Sequence, residues 1–163
     1  MKHTLLATTF LALSAAACAQ NTDSSFQYKG NGYAYFSVGN CLHGYTNVGG
    51  VAGGEYFLWR GLTLGADAGY YQFVNDYSSG YGTATVNLGW HFVDRKKPKK
   101  FDPYIDATML GAAFRPGALT GAGHIGGGLN YWFKERIALQ TGVQLQVVSN
   151  DPVVAFRVGL AFR

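Results

Sequence analysis

Between Ile137 and Val148 the chain alternates without a break. Ile137, Leu139, Thr141, Val143, Leu145 and Val147 fall on one face, and Ala138, Gln140, Gly142, Gln144 and Gln146 on the other. A period of two held over this length specifies a β-strand, and a long one. The segment before it alternates as well, with Ile125, Gly127, Leu129, Tyr131 and Phe133 set against His124, Gly126, Gly128, Asn130 and Trp132. Lys134, Glu135 and Arg136 separate the two runs, so together they read as an antiparallel hairpin with a tight turn.

The second face decides the environment. In a half-buried soluble sheet the polar face meets water and carries charges. Here it carries Gly, Gln, Asn and Trp, with no charge from Ile137 through Val148, while the apolar face is a continuous band with aromatics toward the turn. That pairing suits lipid outside and a packed polar interior inside. The composition agrees: charged residues make up 13% of the chain, against about a quarter in an ordinary soluble domain.

The first residues read as a targeting segment. Lys2 supplies a positive start, Leu5 to Ala17 is apolar, and Ala17-Cys18-Ala19 fits a small-residue cleavage site. The apolar stretch falls short of the ~20 residues of a spanning helix. Residues 1–19 are therefore expected to be a cleaved secretory signal, 20–31 a short polar leader, and 32–163 one barrel domain. The alternative makes Cys18 a lipid-modified first residue, but Ala15 stands where such sites carry a larger aliphatic side chain. After cleavage Cys41 is the only cysteine, which excludes an intramolecular disulfide.

Further strands follow the same rule. Tyr33–Gly39 alternates loosely. Val48, Gly50, Ala52, Gly54, Tyr56 and Leu58 share one face and turn at Trp59-Arg60-Gly61 into Leu62, Leu64, Ala66, Ala68 and Tyr70. Val74 to Gly82 reads as a loop, followed by Ala84, Val86, Leu88, Trp90 and Phe92 facing lipid, with Thr83, Thr85, Asn87, Gly89 and His91 facing in. Pro103–Phe114 is the fifth strand, and Arg115-Pro116-Gly117 opens another loop. After the tight Ser149–Pro152 loop, Val154, Phe156, Val158, Leu160 and Phe162 oppose Ala155, Arg157, Gly159, Ala161 and Arg163. The expected fold is all-β, an eight-stranded antiparallel up-and-down transmembrane barrel, whose lumen is just wide enough for side chains to fill.

Three stretches carry a family resemblance: Gly53–Tyr70, Asp102–Phe114 and Gly126–Gln140. With them the chain resembles the small outer-membrane β-barrel domains of the OmpA and OmpX type. Its end also resembles that family's assembly signal, with Arg157, Gly159, Leu160 and Phe162 in the polar, glycine, apolar and aromatic positions, and Arg163 following as a departure. The resemblance implies an outer-membrane location in a Gram-negative bacterium. It implies outer-membrane lipid, lipopolysaccharide and the barrel-assembly machinery as partners, and a monomer.

Chemical motifs are sparse. His43, His91 and His124 lie on separate elements without ligand-pair spacing, so no metal and no cofactor is expected. No Gly-x-Ser-x-Gly elbow occurs. Lipid-modifying barrels of the deacylase type carry a lipid-facing His-x-Ser pair, which this sequence lacks, so no catalysis is expected. The informative charges face inward: Glu55, Asp67, Asp106 and Arg157 share interior parity and are expected to meet as one plugging network, with a proton or ion path as the alternative. Arg95, Lys96, Lys97, Lys99 and Lys100 form one basic turn on the side of the termini. That turn is read as solvated, or as a contact for anionic head groups. With no basic stripe elsewhere, no nucleic-acid partner is expected. The expected role is structural or surface interaction, with a narrow pore or small-ligand barrel as the alternative.

Overall fold

The computed structural model describes residues 30–41, 44–74, 76–93, 100–149 and 151–163. Eight strands follow one another: β1 (Gly30–Cys41), β2 (Thr46–Trp59), β3 (Leu62–Phe73), β4 (Asp76–His91), β5 (Phe101–Arg115), β6 (Ala118–Lys134), β7 (Ile137–Val148) and β8 (Asp151–Phe162). Each pairs antiparallel with its sequence neighbours, and β8 closes on β1, from Gly32 opposite Phe162 to Cys41 opposite Val153. Closure leaves no unpaired edge, the condition for sheet structure in hydrocarbon. The start of β1 and the end of β8 share one end of the barrel, here the terminal end, with the turns after β2, β4 and β6.

The outside is apolar. Val143, Leu145, Leu139, Val158, Leu160, Leu88 and Ile105 are all exposed, while their alternating partners Gln140, Gln144, Gln146, Arg157, Asn87 and Tyr104 are buried. This inside-out pattern is that of a barrel in lipid. Aromatics mark both rims: Tyr56, Trp59, Phe92, Phe101 and Phe133 toward the terminal end, and Tyr45, Tyr70 and Phe114 toward the far end, all exposed.

One expected loop is largely strand, and another is shortened to a two-residue turn. Where Val74–Gly82 reads as a loop from its Gly, Ser, Asn and Asp, β4 already begins at Asp76. The ladder sets Tyr70, Tyr71 and Gln72 opposite Gly82, Tyr81 and Gly80. Tyr81 thereby enters the lumen and stacks on Tyr71, centroids 5.1 Å apart, and this burial overrides the local turn composition. Likewise Arg115 ends β5 and Ala118 begins β6, leaving only Pro116-Gly117 as the turn. Gly117 has φ +76°, a conformation that disfavours a side chain. Gly117→Ala is expected to cost about 1 kcal/mol, read as a lowered midpoint in urea unfolding of the refolded protein.

One bulge was not legible in the alternation. Thr108 faces Asn87, but Leu110 faces Val86, so β5 holds one extra residue there. Met109 and Leu110 are both exposed, and Ala113 then points inward with 1% exposure. The added residue resets the parity that Asp106 and Thr108 began.

Candidate functional site: the barrel interior

The inner faces of β1 and β3–β8 carry a chain of hydrogen bonds across the lumen. Asp67 accepts from Thr85 Oγ1 (2.7 Å), Asn87 Nδ2 (2.7 Å) and Tyr33 Oη (3.3 Å). Thr108 Oγ1 donates to Asn87 Oδ1 at 3.0 Å and lies 3.0 Å from His124 Nδ1. His124 Nε2 lies 3.2 Å from Asp106 Oδ2. Arg157 completes the chain, with Nη1 and Nη2 gripping the two Asp106 oxygens at 3.0 and 2.8 Å and Nη1 also reaching Gln144 Oε1 at 3.2 Å. The Thr108 hydroxyl has one proton for two acceptors, Asn87 Oδ1 and His124 Nδ1. When it goes to Asn87, His124 Nδ1 must itself carry a proton to bond the same oxygen.

Arg157 is held through its two terminal nitrogens, while its buried Nε has no hydrogen-bond partner among the described residues. Its guanidinium lies between the rings of Tyr35 and Tyr104, 5.4 and 5.1 Å from their centroids. One inner-face row runs Ser37, Arg157, Gly142, Gly128, Tyr104. The two glycines supply the space: a Cβ on Gly142 would stand 2.9 Å from Arg157 Nε, and one on Gly128 2.8 Å from Tyr104 Oη. The alternation of β6 and β7 is thus built around one bulky cation. A bidentate Arg–carboxylate pair of this kind is charge-assisted and fixed in geometry.

A second, separate cluster lies nearer the terminal end. His91 sits between two carboxylates, with Nε2 3.0 Å from Glu55 Oε1 and Nδ1 2.8 Å from Asp102 Oδ1. Both contacts are hydrogen bonds only if each ring nitrogen, or a facing carboxyl, carries a proton. Asn31 Nδ2 donates to Glu55 Oε1 at 2.9 Å. Phe57 and Tyr104 flank the imidazole at 5.1 and 5.5 Å between centroids. Because the carboxylates occupy different ring nitrogens, the three groups do not converge, and among the described residues no group of acidic, His or Cys side chains is placed to hold a metal ion.

Aromatic side chains pack in the lumen toward both ends. Toward the far end Tyr71, Tyr81 and Phe73 pack together, Asn47 Nδ2 donates to Tyr81 Oη (2.9 Å), and Gln146 Nε2 donates to Tyr71 Oη (2.8 Å). Arg115 covers this layer, its guanidinium carbon 5.4 and 5.8 Å from the Tyr81 and Phe73 centroids. At the terminal end Arg163 lies on the buried Trp132 ring, 3.3 Å from its centroid.

Of the four inward charges expected to meet, Asp67, Asp106 and Arg157 belong to one hydrogen-bonded chain. Glu55 does not: it lies opposite Asn31 and Gly65, closer to the terminal end, where His91 reaches it. Asp102 was missed because the fifth strand was expected to start at Pro103, although Asp102 shares parity with Tyr104 and Asp106. Asn87, Thr108 and His124 were legible as inward-facing, but their contacts depend on cross-barrel register, which alternation does not encode. Of the remaining expected site residues, Gly159 faces inward and a Cβ there would crowd Tyr35, while Leu160 faces out and Phe162 is half-buried opposite Ile137. Tyr81, expected in an outer loop, is in the interior layer. Lys100 is exposed just before β5, and its backbone carbonyl accepts the backbone N–H of Trp132 at 2.8 Å. Arg95, Lys96, Lys97 and Lys99, and residues 1–29 with the expected signal and most of the leader, lie outside the described residues.

No protein-family model matches the chain, and no curated protein does. Solved structures do. Neisserial surface protein A superimposes with a TM-score of 0.62 at 13% identity, covering 82% of this chain and 94% of that one. The outer membrane enzyme PagL gives 0.59 at 17% identity, over 80% and 98%. The N-terminal β-barrel domain of Pseudomonas aeruginosa OprF gives 0.58 at 19% identity, over 81% and 96%. At these identities the likeness speaks for architecture, and it agrees with the apolar exterior and the polar, crossed lumen. The chain has the fold of the small eight-stranded outer-membrane β-barrels.

Proposed function

We propose that this protein is a closed outer-membrane barrel of a Gram-negative bacterium, acting in envelope structure or surface interaction without catalysis and without a continuous pore. The observation that carries the reading is the hydrogen-bonded chain from Asp67 to Arg157 across the lumen, with aromatic layers beyond it on either side. An eight-stranded lumen is just wide enough for side chains to fill, which supports a barrel without an open channel. Planar-bilayer recordings of the refolded protein are expected to stay at background. Steady cation conductance would support the alternative, in which the lumen carboxylates line a narrow path.

Thr108, His124 and Asp106 have the hydroxyl–imidazole–carboxylate order of a hydrolase. Three features argue against that use. Both Asp106 oxygens are committed to Arg157, the Thr108 oxygen also accepts the His124 backbone N–H at 3.0 Å, and the group stands inside the barrel, away from lipid. Mass spectrometry of lipid A from cells with and without the protein is expected to give identical spectra. A lost acyl chain that returns in the Thr108→Val variant would establish an enzyme.

A further inference from the structure

The two rims differ in charge. Among the described residues, Arg60, Lys100, Lys134 and Arg136 are exposed at the terminal end, against the single acidic residue Glu135. At the far end, among the described residues, the cation Arg115 is drawn over the Tyr81 and Phe73 rings. The terminal-end cations border the aromatic rim of Trp59, Phe101 and Phe133, where a bilayer's head groups begin.

Arg60 adds an independent observation. It has φ 47°, a left-handed conformation that residues with a full side chain rarely adopt and that Gly or Asn takes far more readily. Its guanidinium lies 4.8 Å from the centroid of Trp59, which is 57% exposed. Arg60 and Gly61 link the paired residues Trp59 and Leu62, and such a tight hairpin turn calls for a positive φ, so the turn itself sets the Arg60 backbone and presents its guanidinium on the exposed interfacial tryptophan. Cation and indole together match a phosphate at the glycerol level of a bilayer.

We propose that the terminal-end rim, through Arg60 with Trp59 and through Lys100 and Lys134, is a binding surface for anionic phospholipid head groups. This rests on the outer-membrane reading, in which the terminal end faces the periplasmic leaflet. The surface recruits anionic lipid to the barrel's boundary on that side alone and so fixes depth and orientation. Basic groups at a membrane surface attract such lipids with an energy that fades within a Debye length.

Boundary-lipid selectivity measures it. The refolded protein in mixed vesicles is probed by electron spin resonance with spin-labelled phosphatidylglycerol and phosphatidylcholine. The expected association ratio is about two- to five-fold in favour of phosphatidylglycerol, shrinking toward one in high salt. The variant Arg60→Asn/Lys100→Gln/Lys134→Gln is expected to reduce the excess by half or more. Arg60→Asn alone is expected to lower the ratio while leaving thermal stability equal or higher, since asparagine relieves the backbone; a merely structural arginine would instead lose stability. Arg115→Gln is the control and is expected to leave the ratio unchanged. A ratio of one in the parent, or a triple variant with the parent's ratio, overturns the proposal while the barrel reading stands. A chain that fails to insert as β-structure overturns both.

Discussion

Arg157→Leu is expected to lower folding stability by ~3–5 kcal/mol, the usual cost of leaving one member of a buried ion pair uncompensated. The structure explains why the effect is large. Arg157 is 4% exposed, holds both Asp106 oxygens, bonds Gln144, and fills the space between Tyr35 and Tyr104 that the glycines of β6 and β7 leave open. Leucine satisfies none of those bonds and strands a carboxylate whose other named partner is His124. Urea unfolding in lipid vesicles reads the loss. The double variant Arg157→Leu/Asp106→Leu is expected to be less destabilised than the two single losses added together, because the stranded charge has gone. Parent-like stability of Arg157→Leu would mean that the pair contributes nothing to holding the barrel.

The second large effect is expected on the outside. Val143 lies midway along β7 and is 46% exposed, so Val143→Arg places a charge in hydrocarbon at a cost of ~2–4 kcal/mol. Leu139 is nearer the terminal rim, directly opposite Tyr131, and Leu139→Arg is expected to cost less because the cation reaches the head groups. Folding yield and urea midpoints in vesicles should fall in the order parent, Leu139→Arg, Val143→Arg. Equal losses at both sites would show that the outer face is not graded by membrane depth.

How much of this was legible follows from what alternation encodes. In β7 and β8 the large apolar residues from Leu139 to Val147 and from Val154 to Leu160 lie at outward positions, so these runs set their own faces without help from neighbours, while Val148 and Val153 at the far end turn inward. Near the far end the local signal misled. The Ser and Gly residues around Tyr81 read as a loop, yet they are strand because Tyr81 pairs across to Tyr71 and buries its ring. The Met109–Leu110 bulge was also hidden, since two consecutive apolar residues facing lipid look locally like any apolar run. Inside, parity singled out Glu55, Asp67, Asp106 and Arg157 as lumen charges. It did not say which of them touch, because contact depends on the register accumulated around eight strands. That register gave Glu55 to His91 and Asp106 to Arg157.

The most direct test of a barrel with lipid outside and a packed polar interior is a cysteine scan along β7. In a background with Cys18 and Cys41 replaced by serine, single cysteines at Val143, Gln144, Leu145 and Gln146 are labelled with a small fluorophore before refolding into vesicles containing brominated lipid. The structure requires alternating quenching: strong at positions 143 and 145, whose side chains are exposed, and weak at 144 and 146, whose side chains are buried. Quenching at 144 and 146 but not at 143 and 145 would turn the sheet inside out. Uniformly weak quenching, with the chain recovered in the aqueous phase, would contradict a membrane barrel altogether.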